Sequence, residues 1–89
     1  MSSSSPHYHL RLYVAGGGAR SRSAVLAVSA LCDGGADDRI DLEIIDVYHG
    51  AQLAHQDGVR GVPALVRVSP TPVRRLVGDL SDASTLLQV

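Results

Sequence analysis

Lysine, tryptophan and phenylalanine are missing from this chain, and cysteine occurs once. A lone Cys32 excludes an internal disulfide and a structural zinc site of the multi-cysteine type. The aromatics are three tyrosines (Tyr8, Tyr13 and Tyr48), 3% of the 89 residues. Stacking platforms for single-stranded nucleic acid need more aromatics beside basic residues than that. All eight basic residues are arginine and the formal net charge is −1. That balance provides neither a polybasic membrane anchor nor the electrostatic footprint of a nucleic-acid binder. The Ser-rich start lacks an apolar signal core, and no apolar run reaches membrane-spanning length. The expectations are a cytoplasmic protein with no nucleic-acid and no membrane partner.

Hydrophobic residues make up 45% of the chain, enough for a compact core, which must be aliphatic. The length fits one domain, and a domain of this size buries only roughly 60% of the surface its unfolded chain exposes. Residues 1–7 read as a disordered N-terminal segment and residues 8–89 as the domain.

From Tyr8 to Val14 the pattern alternates, with Leu10, Leu12 and Val14 on one face and His9, Arg11 and Tyr13 on the other. That predicts a strand with one face on the core. Gly16, Gly17 and Gly18 break the pattern. Ser21 or Ser23 can cap a helix that carries Val25, Val28, Leu31 and Cys32 inward to Asp33, with Gly34 and Gly35 as stops. Leu42 to Val47 reads as a buried strand, and the crossover between the two strands is long enough for parallel pairing. Ala51 to Asp57 predicts a short helix between Gly50 and Gly58. Pro63 to Val68 and Val73 to Val77 predict two strands joined as a hairpin. A last helix starts at Ser81, with Asp82 in its first turn and Leu86, Leu87 and Val89 turned inward. The order is β-α-β-α-β-β-α, an α/β single domain of the thioredoxin-like kind.

Thiol–disulfide exchange needs a nucleophilic thiolate in the loop after the first strand. Here that loop runs Gly16 to Ser21 without a cysteine. Cys32 sits toward a helix C-terminus, where the dipole disfavours a thiolate. The Gly-rich loop matches neither dinucleotide- nor nucleotide-binding spacing, and no lysine exists to reach a phosphate. His7, His9, His49 and His55 lack metal-ligand spacing, and the scattered acids suggest no acid/base couple. No catalytic residue, metal ligand or cofactor is expected. Pro63 marks a special backbone position, because proline cannot donate to a sheet ladder.

Several segments resemble the KaiB family in content and spacing. They are Leu10-Arg11-Leu12-Tyr13-Val14-Ala15-Gly16, Ile45-Asp46-Val47, Gln52-Leu53-Ala54 and Pro63-Ala64-Leu65. The most specific is Pro72-Val73-Arg74-Arg75-Leu76-Val77-Gly78-Asp79-Leu80-Ser81. The resemblance implies a thioredoxin-like fold with a cis bond before Pro63. It implies a non-enzymatic clock adaptor that docks on the N-terminal ATPase ring of a KaiC-like protein and modulates its phosphorylation state. It also implies a metamorphic protein: a monomeric thioredoxin-like state that binds KaiC, and a ground state, tetrameric or dimeric, with a rearranged C-terminal half.

Carried over by motif, the partner-binding candidates are Gln52, Leu53, Ala54, Asp57, Arg74 and Arg75. The fold-switch candidates are Pro63, Pro70, Pro72 and Gly78. A histidine kinase or a KaiA-like protein is a further implied partner. Glu43, however, stands on the second-strand edge that pairs with KaiA, where cyanobacterial members often carry a basic residue. Pro70-Thr71-Pro72 departs from three consecutive prolines. Because longer members continue past Val89, where the ground state forms its last strand, the thioredoxin-like state is the expected one here. Two rival readings are a KaiB-like sensor domain of a SasA-type histidine kinase, and a degenerate thioredoxin or glutathione-transferase-like enzyme.

Overall fold

The computed structural model describes residues 7–33, 40–78 and 80–87. Strand β1 (Tyr8–Val14) leads through a Gly-rich turn into helix α1 (Ala19–Asp33), then strand β2 (Ile40–Asp46) and the short helix α2 (Ala51–Gln56). Strands β3 (Ala64–Ser69) and β4 (Arg74–Val77) form the hairpin, and a 3-10 helix (Leu80–Leu87) follows. The sheet order is β2-β1-β3-β4. β1 pairs parallel with β2, and the other two pairings are antiparallel. The element order and the thioredoxin-like architecture are those the sequence predicts.

Alternation along β1 builds the main core. Leu10, Leu12 and Val14 face α1 and the 3-10 helix, meeting Ala24, Val28, Leu65, Leu80, Ala83 and Leu86. Each fully buried leucine there contributes about 1.5–3 kcal/mol relative to exposure. On the opposite face a smaller cluster of Tyr13, Ala54, Ala64 and Val66 sits under α2. Tyr13 is therefore wholly buried although it shares its strand face with half-buried Arg11. Six residues of α2 cover only part of that face.

Three expectations need correction. Helix α1 begins at Ala19, so Ser21 and Ser23 lie inside its first turns and do not cap it. The Ser21 hydroxyl instead donates to the Ala15 carbonyl at 3.1 Å. Strand β2 is not a buried central strand but a sheet edge, and Ile44 is 49% exposed. An apolar, β-branched run has the same composition in both positions, and only its pairing with β1 alone reveals the open flank. The last helix is a 3-10 segment starting at Leu80, kinked at Asp82 (φ −96°, ψ 21°). Leu86 is buried and Leu87 half-buried, as expected. The expected stops Gly34 and Gly35, the inward Val89, Asp79 of the hairpin motif and residues 1–6 of the N-terminal segment lie outside the described residues. His7 is described, exposed and 2.7 Å from Asp41.

The bond before Pro63 is cis, and so are those before Pro70 and Pro72. Gly50 is required by packing: a Cβ there would stand 2.6 Å from the Ile45 side-chain methyl Cγ2. Among the described residues no helix is long and apolar enough to cross a membrane.

Candidate functional site

Helix α2 and the residues after it carry a network of side-chain hydrogen bonds. The chain turns into α2 over Asp46, whose carbonyl accepts from the backbone of His49 (2.9 Å) and Gly50 (2.8 Å). Its carboxylate accepts from the Tyr48 amide at 2.9 Å. The helix leaves through Asp57, whose amide donates to the Leu53 carbonyl at 2.9 Å. Gly58, at φ +73°, then takes a left-handed conformation that glycine alone adopts without strain.

Asp57 is the hub. Arg11 Nη1 donates to both its carboxylate oxygens at 3.1 and 3.2 Å, and the Tyr13 hydroxyl donates to the same carboxylate. Arg75 Nε donates to the Asp57 carbonyl. Arg11 is held from its other side by Glu43 at 3.0 Å, and Glu43 lies 2.6 Å from His9 Nε2. A polar row thus crosses the face left open by α2, from Glu43 on β2 through Arg11 on β1 to Asp57.

The charges respond accordingly. Hydrogen bonds from Arg11 and then His9 hold the Glu43 carboxyl below its ordinary value. The bond to Glu43 leads the factors that raise Arg11. Burial first, and then the bond to Asp57, push the Tyr13 phenol up, so it remains a neutral donor.

The partner-binding candidates fall into three groups. Gln52 is exposed on α2. Leu53 is half-buried against the smaller core and Ala54 is part of it, so Ala54 supports the helix from beneath. Asp57 and Arg75 come together as described, whereas Arg74 pairs in register with Arg67 and alternates to the opposite face of β4. A depression of about 300 Å³ beside α2 is lined by Val47, Ala51, His55, Val59 and Arg60. Of the fold-switch candidates, Pro63 and Gly78 meet, since the Gly78 amide donates to the Pro63 carbonyl at 2.9 Å. Pro70 and Pro72 lie in the hairpin loop, and Gly78 takes φ +88°.

Sequence reasoning missed the roles of Arg11, Tyr13 and Arg67. Arg11 and Tyr13 share a strand face, but the face alone does not announce an acid reached from a distant turn. Arg67 is fully buried and donates to the carbonyls of Leu86 (3.1 Å) and Pro72 (2.8 Å).

Burial and the neighbouring Asp33 push the Cys32 thiol up, away from the reactive thiolate. Among the described residues no three His, Cys, Asp or Glu side chains converge as a metal site.

Residues 11–89 match the model of the KaiB domain. A circadian clock oscillator protein KaiB from Acaryochloris marina is 38% identical over 87 residues, covering 98% of this chain and 84% of the relative. Its counterpart from a Synechococcus strain is 39% identical over 80 residues, 90% of this chain and 78% of the relative. Among solved structures, the N-terminal domain of SasA from Synechococcus elongatus superposes with a TM-score of 0.76 at 27% identity, over 93% of this chain and 80% of that one. The germline thioredoxin Deadhead of Drosophila melanogaster gives a TM-score of 0.76 over 91% of this chain and 78% of that one, at 16% identity, a likeness of fold alone. With a family model spanning most of its length and relatives this similar, the chain belongs to the KaiB family of clock proteins.

Proposed function

We propose that this chain is a non-enzymatic clock adaptor of the cytoplasm. Its α2 surface docks on the N-terminal ATPase ring of a KaiC-like protein and modulates that protein's phosphorylation state. The observation that carries the reading is that a KaiB-family chain takes the thioredoxin-like form with α2 displayed outward. Gln52 is exposed there, while Leu53 and Ala54 of the same helix pack into the smaller core beneath it. The likeness to the SasA N-terminal domain supports the thioredoxin-like form on which this reading rests.

The binding-competent state is the monomer. A second packing of the C-terminal half, with a dimeric or tetrameric assembly, competes with it, and the ring selects the thioredoxin-like form. The hairpin and its punctuating Pro63, Pro70, Pro72 and Gly78 are where the two packings diverge. A SasA-type histidine kinase is then a competitor for the same ring. KaiA-like pairing along β2 would have to accommodate Glu43.

Native mass spectrometry of this protein with the KaiC-like ATPase of its own organism tests the reading, in ATP and in ADP, from minutes to a day. The expected outcome is nucleotide-dependent, slowly accumulating ring complexes. Absence of any complex in both nucleotides sinks it. Thiol-dependent turnover that survives Cys32→Ser would favour the degenerate-enzyme reading instead.

A further inference from the structure

Helix α2 is too short to hold its own pose. Six residues make less than two turns, and isolated helices below roughly 12–15 residues are marginal in water. Only Ala54 of the six is buried. What orients the helix is therefore what grips its ends. At the start the grip is local, through the Asp46 carbonyl. At the end, local bonds from the Asp57, Gly58 and Val59 amides to the Leu53, His55 and Ala54 carbonyls are joined by a long-range grip through Asp57.

We propose that Asp57 is the positioning residue of the docking surface: it ties the end of α2 to β1 and β4 at once, and so sets the affinity of α2 for its partner ring. This inference rests on the docking reading above. Its carboxylate takes two donors from β1, Arg11 and Tyr13, while its carbonyl takes one from β4, Arg75. β1 and β4 are not neighbours, because β3 lies between them. A single residue thus spans three strands.

Two further observations separate positioning from helix stabilisation. A carboxylate at a helix C-terminus opposes the helix dipole, so Asp57 is in the wrong place to stabilise α2 locally. Its partners, moreover, are pre-oriented. Arg11 is gripped by Glu43 on its far side. Arg75 lies across Gly58, where an added Cβ would meet its guanidinium at 3.1–3.3 Å. The hairpin that carries Arg75 is also the part of the fold in which the alternative packing would differ. Asp57 therefore makes the pose of α2 report on the position of β4.

The test uses the full chain with Asp57→Ala, Asp57→Asn and Arg75→Met. Amide hydrogen exchange is read by residue, and affinity is measured for the purified KaiC-like ATPase ring of the same organism. Asp57→Ala is expected to speed exchange of the Ala54 and Asp57 amides about tenfold or more while β1 and β3 stay within about twofold. It is expected to weaken ring binding by about tenfold. Asp57→Asn, which keeps the shape and one acceptor oxygen, is expected to recover part of both losses. Arg75→Met, which spares the carboxylate, should loosen α2 by about two- to fivefold.

Unchanged exchange in α2 overturns the proposal, and so does a uniform rise that includes β1 and β3, the mark of a merely structural role. Loosened exchange with unchanged ring affinity overturns the docking half. If the wild-type chain binds no ring, the proposed function fails and the docking role with it. The exchange pattern, read without any ring, still decides whether Asp57 holds α2.

Discussion

Tyr13 shares with Arg11 a strand face that composition alone would assign to solvent, yet its ring is fully buried and its hydroxyl reaches Asp57. A phenol taken out of water and bonded to a carboxylate favours its neutral form, and both effects raise its ionisation above the ordinary 10.0. Because the folded value is the higher one, this stability is fully present below about pH 10 and is lost as pH rises toward the folded value. In an alkaline titration followed by tyrosinate absorbance, one of the three tyrosines should ionise late, together with unfolding. Tyr13→Phe should remove that late step. A late step that persists in the variant would place the buried phenol elsewhere. Arg11 and Asp57 are its neighbours, so a double-mutant cycle between Tyr13→Phe and Asp57→Asn should show non-additivity.

At the scale of elements, Arg67 shows why part of the fold was legible in the sequence and part was not. β3 reads as an apolar strand, and its arginine looks like a solvent-facing interruption. In the structure that position faces the C-terminal 3-10 helix, whose terminal carbonyls lack partners within the helix. The guanidinium supplies one to Leu86 and another to Pro72, joining β3, the hairpin loop and the last helix. Charged hydrogen bonds of this kind contribute about 1.5–3 kcal/mol each, so Arg67→Met should destabilise by about 3 kcal/mol in urea unfolding. A loss under about 1 kcal/mol would mean that the two carbonyls find other donors.

Periodicity reveals whether a strand has an inner face, as for Leu10, Leu12 and Val14. It does not reveal which partner covers the outer face, and so it could not separate buried Tyr13 from half-buried Arg11. Nor could it see that β2 ends at an open edge, because Ile40 to Ile45 would look the same between two strands. Gln52, Asp57 and Arg75 stand at or beside the α2 surface, whereas Ala54 belongs to the core and Arg74 to the far side of β4.

For the molecule as a whole, the polar row on the open face links acid stability to one exposed carboxylate. Arg11 first, and His9 second, hold Glu43 below its ordinary value of 4.5. A depressed carboxyl contributes stability that is present above its unfolded value and is lost as pH falls through the folded one. The sensitive window therefore opens near pH 4.5 and extends downward. Glu43 is 48% exposed, so solvent screens the pair and the effect is modest. It is nonetheless distinctive, because the Arg11 that holds Glu43 also donates to Asp57.

Urea unfolding from pH 7 down to about pH 3 should show wild type losing more stability below about pH 4.5 than Glu43→Gln does. The two proteins should differ most at neutral pH and converge in acid. Raising salt to about 1 M, where the Debye length is about 3 Å, should narrow the neutral-pH gap. Parallel pH profiles for the two proteins would show that Glu43 is a bystander on the sheet edge. Convergence would show that the Glu43 carboxylate on the β2 edge stabilises the fold through its charge, held by Arg11 of β1.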